Sequence, residues 1–390
     1  MDVTKYAKKE LLSMMIGSSS TRVNIAPDPK LINLAAGDPD FNQPNIINKA
    51  VYLAMKEGHT HYTFNGVPEF KQAIANYYGK YGVKIDPETQ LCIESGGSQA
   101  IFRSFGALLN PNDEIILLDP AYQGYLQPAT YFGAKMVRAS MKKDKKGLFR
   151  PDFEAIRKAC TPKTKALMIC SPDNPTGVVL NERELRALAE ICIEKDIICI
   201  SDEIYTEFIW SRKPFIPTMK IKGMEERTLA LMSFSKTFAW TGCRAGYIIG
   251  CPELIELVNE VPTGIMGMPV PFQYAGAIAL EKCWGFVNKM KKEYKKRIEF
   301  SVKRLNEING ITCPKPEGTF YLFPDVSAVG MSSDEFFKGL FLQEKVRGAP
   351  GTIYGQAAEG HVRFALVDKM EHLEEAWNRV EHFVKKNGEK

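Results

Sequence analysis

The sequence predicts an α/β protein with a large lobe, built on a mainly parallel sheet covered by helices, and a smaller α+β lobe. Between residues 90 and 233, continuous apolar runs alternate with helical patterns, which indicates strands that are buried on both faces of a sheet. After residue 250 the pattern changes to long, charged, periodic helices with a few strand signals. With 390 residues and 45% apolar content, the chain can bury the cores of two lobes.

The runs that we expect to form strands are short and mostly end in polar residues. In chain order they are QLCIE (90–94), EIILLD (114–119), KMVRAS (135–140), KALMIC (165–170), DIICIS (196–201) and TLALMS (228–233). Helical patterns separate several of them, and Asn181 is placed to cap the helix predicted over residues 181–195. The central sheet is therefore expected to begin near residue 90.

The smaller lobe is expected to follow a long helix that begins near Trp284. Its strand signals are GTFYLFPDV (318–326) and HVRFALV (361–367), and an amphipathic helix ends the chain. The first forty residues are expected to fold with this lobe, because they precede the central sheet. We predict a large domain over residues 41–284 and a small domain over residues 1–40 and 285–390.

Composition argues against nucleic-acid and membrane partners. The net charge is +5, from 51 basic and 46 acidic residues that are scattered along the chain. The densest basic cluster, residues 141–150, is interrupted by Asp144, so we expect a solvated turn there. No stretch reaches eighteen apolar residues, and the N-terminus lacks the apolar core of a signal peptide. A cytoplasmic protein is the expectation.

The nine cysteines and five histidines show no pattern of a metal site or a disulfide framework. No CxxC pair occurs, and several cysteines lie inside apolar runs such as ALMIC and DIICI. We expect buried, reduced thiols, as in cytoplasmic proteins, and no metal.

Polar segments rich in glycine and proline follow the predicted strands. They are SGGS (95–98), DPAY (119–122), SPDNPTG (171–177), DEIY (202–205) and SFSK (233–236). In parallel sheets ligands bind beyond the carboxyl ends of the strands, so these segments should meet at one edge. Taken singly, each has an ordinary explanation, such as a tight turn or a helix cap.

Taken together, the segments match the requirements of pyridoxal 5'-phosphate. This cofactor needs a lysine for a Schiff base and a carboxylate at the pyridine nitrogen. It also needs donors for the ring hydroxyl, an aromatic ring face, and hydroxyls, amides and an arginine for the phosphate. Lys236 lies in an apolar stretch, where a free ammonium is costly but a Schiff base is not.

The ordered set of motifs resembles the class I/II aminotransferases, which are fold type I pyridoxal-phosphate enzymes with the aspartate aminotransferase fold. The set begins with NLAAGDPDF, includes YTFNGVPEFKQAI, the five segments above and SFSKTFAWTGCRAGY, and ends with GHVRFAL. The resemblance covers the chain from about residue 30 to its end. It implies a transferase that moves an amino group from an L-amino acid to a 2-oxo acid, usually as a homodimer with shared active sites.

The resemblance also implies roles for individual residues. The catalytic residues would be Lys236 (Schiff base and proton shuttle), Asp202 (pyridine nitrogen) and Tyr205. With Asn174, Tyr205 would hold the 3-hydroxyl, and the Tyr122 ring would stack on the cofactor.

Phosphate and substrate contacts complete the implied site. The residues around the phosphate would be Gly97, Ser98, Ser233, Ser235 and Arg244, with Tyr62 reaching the phosphate of the neighbouring subunit. The substrate α-carboxylate would be bound by Gly37, Asn174 and Arg363.

Three positions depart from the family pattern. Cys243 stands where the family often has tryptophan, which we expect to affect packing only, and Ser235 is a looser match than Ser233. Ser98 stands where many bacterial aspartate-preferring relatives carry a lysine that helps with an acidic side chain. Aspartate, aromatic and broad specificity therefore all stay open.

Other activities would keep nearly every cofactor residue. A β-lyase or an aminocyclopropane-forming synthase on this scaffold is one alternative, because fold does not settle reaction. A non-catalytic regulator with an aminotransferase-like domain is a more remote one. Such proteins place a DNA-binding module first, and the roughly thirty residues before LINLAAGDPDF are expected to be too few for one.

Overall fold

The computed structural model describes Lys5 and residues 28–63, 66–211, 214–262 and 267–388. The strands of this part of the chain are β1 Ile32–Asn33, β2 Leu91–Glu94, β3 Glu114–Asp119, β4 Lys135–Ser140, β5 Lys142–Lys143, β6 Phe149–Arg150, β7 Thr164–Cys170, β8 Ile198–Asp202, β9 Thr228–Ser233, β10 Gly246–Ile249, β11 Tyr321–Leu322, β12 Val346–Arg347, β13 Ala349–Pro350 and β14 Val362–Ala365. The helices are Asn45–Lys56, Pro68–Gly79, Gly97–Leu108, Leu126–Tyr131, Phe153–Ala159, Glu182–Glu194, Phe234–Thr237, Pro252–Glu260, Val270–Lys282, Trp284–Asn306, Ser333–Glu344 and Met370–Asn387.

The large sheet confirms the predicted α/β class. Within the described ranges its strand order is β2-β10-β9-β8-β7-β3-β4. Neighbours from β9 to β4 pair in parallel, whereas β10 is antiparallel to both β9 and β2. All six predicted runs form strands of this sheet, but β10 was not predicted. Its short sequence, GYII, directly follows the lysine and arginine motif and gives little periodic signal.

The central strands are buried on both faces, which explains their continuous apolar sequences. Every residue of β9 is buried, and so are the last five residues of β7. Helices cover the sheet from both sides, and separate apolar clusters fill the two interfaces. Burying one large aliphatic side chain in such a layer contributes about 1.5–3 kcal/mol, so a polar residue is tolerated only where it has a partner or a function.

The predicted cap of the helix Glu182–Glu194 is present as a reciprocal capping box. The Asn181 side chain accepts from the N–H of Glu184 at 3.0 Å, and the Glu184 carboxylate accepts from the N–H of Asn181 at 2.8 Å. Such a cap contributes about 1 kcal/mol. It fixes where this helix begins, directly after the segment that contains Asn174.

Residues 32–34 pack with the C-terminal part of the chain. β1 pairs in parallel with β12, and Ile32 and Leu34 lie in the apolar cluster of Trp377 and Phe383. β11, β14 and β13 form a separate small sheet. The boundaries 41–284 and 285–390 stay predictions, and residues 1–4 and 6–27 of the predicted small domain lie outside the described residues.

The basic cluster at 141–150 forms a short hairpin of β5 and β6 around an exposed turn. The lysines are exposed as expected, and Asp144 accepts the N–H groups of Lys146 and Leu148. Arg150 is instead half-buried and pairs with Glu317 at 2.7 Å. The turn prediction holds for the lysines but not for this arginine.

The described part of the chain includes every cysteine, and all of their thiols are free. Cys160 and Cys243 are partly exposed, and the other cysteines are buried. Among the helices of the described ranges, none has the length and apolar character needed to cross a membrane.

Candidate active site

A cavity of about 330 Å³ lies at the carboxyl edge of the large sheet. Because β2, β3, β7, β8 and β9 all end at this edge, the polar segments that follow them converge there. The predicted site residues that line the cavity are Gly37, Gly97, Ser98, Tyr122, Asn174, Asp202, Tyr205, Ser233, Ser235, Lys236, Arg244 and Arg363. Tyr62 does not line it and is 75% exposed in the single chain.

Lys236 enters the cavity from the one-turn helix Phe234–Thr237, which directly follows β9. The hydroxyl of Ser233 begins this helix by accepting from the N–H of Ser235 at 3.1 Å. The Lys236 Nζ donates to the carbonyl of Gly37 at 2.5 Å. This contact joins the N-terminal segment to the lysine motif.

Asp202 is the last residue of β8 and is only 3% exposed. Its Oδ2 accepts from the Tyr125 hydroxyl at 2.7 Å, and its Oδ1 accepts from the N–H of Ile204 at 3.1 Å. Burial raises the pKa of Asp202 from 3.8 to about 6, although the two hydrogen bonds and the charge of Lys236 oppose the shift. Residues 204–207 form turns, so Asp202 does not cap a helix.

The part of the cavity beside the helix Gly97–Leu108 is suited to an anion. The helix Gly97–Leu108 begins there, and its first N–H groups have no acceptor within the helix. Arg244 lies beside it and donates to the carbonyls of Ser95 at 3.0 Å and Thr241 at 2.8 Å. A Cβ at Gly96, whose φ is +86°, would lie 2.7 Å from Nη2 of Arg244, so glycine is needed for this approach. The hydroxyls of Ser233 and Ser235 are 2.8 Å apart nearby.

Arg363 provides a second cationic group, on β14. It is 6% exposed, and its Nη1 donates to Oδ1 of Asn174 at 2.8 Å. Its Nη2 donates to the carbonyl of Ala35, and its Nε has no hydrogen-bond partner within the described residues. The guanidinium also packs over the Tyr321 ring at 4.3 Å. A buried arginine with unused donor capacity suits a planar carboxylate.

Comparison with known proteins identifies the family of the chain. The family "Aminotransferase class I and II" matches residues 29–380. The chain belongs to this family. It is an aminotransferase.

Relatives of the aminotransferase include proteins named for aromatic amino acids and for aspartate. It is 36% identical to aromatic-amino-acid aminotransferase 2 of Thermococcus litoralis over 91% of this chain and 92% of the relative. It is 37% identical to an aspartate aminotransferase of Pyrococcus horikoshii over 90% of each chain. The solved structure of an aromatic aminotransferase from Pyrococcus horikoshii superposes with a TM-score of 0.88 at 35% identity, covering 92% of this chain and 97% of that one.

Two tyrosines of the candidate site were missed from the sequence. Tyr125 binds Asp202, and Tyr321 contacts Arg363 and Tyr205. Tyr321 stands in an aromatic and apolar stretch, where a tyrosine is usually a core residue. The signal that was available for Tyr125 was its place three residues after Tyr122, which ends a segment already assigned to the site.

A second cavity of about 330 Å³ adjoins the first on the side of the helix Gly97–Leu108. The two cavities share Ser98, Ile101 and Tyr122. The other residues that line the second cavity are Phe102, Gly124, Gln127, Pro128 and Tyr131. None of these lining residues carries a charge, so this side of the candidate site is uncharged and mainly apolar and aromatic, with Ser98 and Gln127 as its polar side chains.

Proposed function

We propose that the aminotransferase uses pyridoxal 5'-phosphate to move an amino group from an L-amino acid to a 2-oxo acid. The observation that carries this proposal is the set of side chains along the main cavity, which is the one at the carboxyl edge of the large sheet. One space is lined by the anion-binding start of the helix Gly97–Leu108, by the buried Arg363 on β14, and by Lys236 and Asp202. When bound, the cofactor supplies a ring that accepts electrons from the substrate α-carbon.

The residues fit this cofactor group by group. Asp202 is buried with a raised pKa, so a protonated ring nitrogen would supply its carboxylate with an opposite charge that offsets the cost of burial. The start of the helix Gly97–Leu108, with Ser98, Ser233, Ser235 and Arg244, would hold the phosphate. Tyr122 would supply the ring face. Asn174 and Tyr205 would hold the ring hydroxyl.

Lys236 would hold the cofactor and move the proton. Its Nζ would take the proton from the substrate α-carbon and return it during the transfer. The contact with the Gly37 carbonyl holds Nζ in the cavity. Arg363 would bind the substrate α-carboxylate with Asn174 and the backbone at Gly37, and this orients the α-carbon toward Lys236.

We infer an aromatic or broad side-chain preference, with aspartate as the second candidate. Ser98 carries no charge to pair with a second carboxylate, and the adjoining cavity is lined by Phe102, Tyr131 and other uncharged residues. An apolar side chain would bury surface there, whereas a carboxylate would lose hydration without gaining a partner.

A homodimer with shared active sites is supported by exposed apolar side chains. The helix Asn45–Lys56 exposes Ile46, Tyr52, Leu53 and Met55, and Tyr62 follows it. A second copy covering this patch would bury these residues. It would also bring Tyr62 of one subunit toward the proposed phosphate-binding residues of the other. The free thiols agree with a cytoplasmic enzyme, and the packing of Ile32 and Leu34 agrees with the proposed small domain.

A half-reaction tests the proposal. Protein loaded with pyridoxal 5'-phosphate is mixed with glutamate alone, and cofactor forms and products are separated by chromatography. A transaminase yields one equivalent of 2-oxoglutarate and of pyridoxamine phosphate. Release of ammonia with pyruvate from a cysteine conjugate, without pyridoxamine phosphate from glutamate, would instead indicate the β-lyase alternative.

A further inference from the structure

Tyr321 occupies a central position in the site that no motif assigned. It begins β11, is 2% exposed and lines the main cavity. β11 pairs with β14 so that Tyr321 stands opposite Ala365, two residues from Arg363. Side chains two residues apart on a strand lie on one face, so the pairing places the Tyr321 ring diagonally next to Arg363. The guanidinium packs over this ring at 4.3 Å.

The Tyr321 hydroxyl contacts the cofactor side of the site. It lies 2.8 Å from the hydroxyl of Tyr205, and the two rings meet edge to face at 5.6 Å. Within the described residues, Tyr205 is its hydrogen-bond partner. One side chain therefore touches both the proposed carboxylate ligand and a proposed ligand of the cofactor hydroxyl.

Gly37 lies directly against the same hydroxyl. A Cβ built on Gly37 would lie 1.8 Å from the Tyr321 oxygen, so any larger residue would displace it. The Gly37 carbonyl is also the acceptor for Lys236. The Tyr321 hydroxyl thus lies where the N-terminal segment, the lysine motif and the turn after β8 meet.

We propose that Tyr321 is a positioning residue that orients the Tyr205 hydroxyl and the Arg363 guanidinium together. Two phenols in contact share a single hydrogen bond, so only one of them donates. If Tyr321 donates to Tyr205, the Tyr205 hydrogen is left for the ring oxygen of the cofactor. If Tyr205 donates to Tyr321 instead, the Tyr205 hydrogen is no longer available to the ring oxygen. This inference rests on the proposed function.

Replacing Tyr321 by phenylalanine tests the hydroxyl while keeping the ring. The readout is a pH titration of the cofactor-loaded protein, followed by its visible absorbance. The quantity compared is the pH at the midpoint of the absorbance change. A donor to the ring oxygen stabilises its anionic form, so weakening that donor should raise the midpoint, by about half a unit to one unit. The KM for amino acids should change less than about twofold, because the ring beneath Arg363 remains. An unchanged midpoint would overturn the inference.

A double-mutant cycle and a matched control sharpen the result. Tyr205→Phe should shift the midpoint by itself, and Tyr321→Phe should add nothing in that background. Additive shifts would overturn the orienting role. Tyr294→Phe removes another buried hydroxyl, one without a partner within the described residues, and should leave the midpoint unchanged. An equal shift in this control would also count against the proposal.

Tyr321→Leu tests the ring. It should raise the KM for phenylalanine and aspartate alike, by roughly fivefold, because the guanidinium loses its aromatic support. A KM equal to that of Tyr321→Phe would remove the ring from the proposal. A wild-type protein that binds no pyridoxal 5'-phosphate would overturn the proposed function itself, whereas a loaded, active wild type with an unshifted Tyr321→Phe midpoint overturns only the role of Tyr321.

Discussion

Replacing Asp202 by asparagine should make the cofactor-free protein more stable at neutral pH. The pKa of Asp202 is about 6 in the folded protein, against an ordinary value of 3.8, because burial disfavours the charged form. The folded state therefore binds more protons than the unfolded state between these values, and stability falls as the pH rises through this window. Above about pH 6 the wild type bears the full free-energy cost of burying an ionised carboxylate, and the asparagine variant bears none of it.

The size of the effect follows from the same contacts. A pKa difference of about two units corresponds to about 3 kcal/mol. The asparagine oxygen still accepts from the Ile204 N–H, but its amide group then faces the Tyr125 hydroxyl, which must accept instead of donate. The pKa difference already includes the loss of the charged acceptor, so only the turned hydroxyl remains to be counted. Turning it costs about 1 kcal/mol, as for a typical hydrogen bond, which leaves a net gain of about 2 kcal/mol for the variant.

Thermal unfolding of both cofactor-free proteins from pH 4 to pH 8 measures this difference. Glu203 is also buried with its pKa raised to about 7, and its contribution largely cancels between wild type and variant. Burial raises the pKa of Asp173 to about 7, and the charge of Asp202 adds to this shift, so removing that charge should stabilise the variant slightly further. The gap should be small at pH 4, widen to about pH 6 and then stay constant. A wild type that is more stable than the variant at every pH would refute the reasoning, and so would a gap independent of pH.

Adding pyridoxal 5'-phosphate provides the complementary measurement. If the Asp202 carboxylate pairs with the ring nitrogen, the cofactor should stabilise the wild type more than the variant, and the loaded variant should lose most of its activity per folded molecule. An equal thermal shift in both proteins would argue against this pairing.

Three further substitutions test other parts of the site. Lys236→Ala should abolish transamination in a folded protein, and borohydride reduction of the loaded wild type should label the Lys236 peptide; a label on another lysine would show the wrong site. Arg363→Lys should lower kcat/KM for all amino acids together, by roughly tenfold or more, because the planar fork is lost; a loss confined to one substrate would contradict the carboxylate role. Ser98→Lys should raise kcat/KM for aspartate relative to phenylalanine by about fivefold, on the order of 1 kcal/mol. An unchanged ratio of kcat/KM for aspartate to kcat/KM for phenylalanine would show that this position does not select for the charge of the substrate side chain.

The sequence by itself predicted six of the seven strands that the described residues form in the large sheet and the edge at which they end, and its resemblance to the class I/II aminotransferases named most of the residues that line the cavity. The runs at 114–119 and 228–233 form strands with those same bounds, because strands buried on both faces must be continuously apolar. In parallel strands the carboxyl ends lie at one edge, so the segments with Asn174, Asp202 and Lys236 had to converge. These inferences need only local pattern and chain direction.

Only the tertiary structure decided which side chains touch. Tyr125 reaches Asp202 across 77 residues of sequence, and Tyr321 reaches Tyr205 across 116. A tyrosine in an apolar stretch has the same pattern whether its hydroxyl lies in a core or in a cavity, so sequence periodicity cannot separate the two. β10 was missed because its four residues give little periodic signal, and only the long-range pairing with β2 and β9 makes them a strand. The contact of Tyr321 with Arg363 likewise exists only because β11 and β14 pair in one particular register.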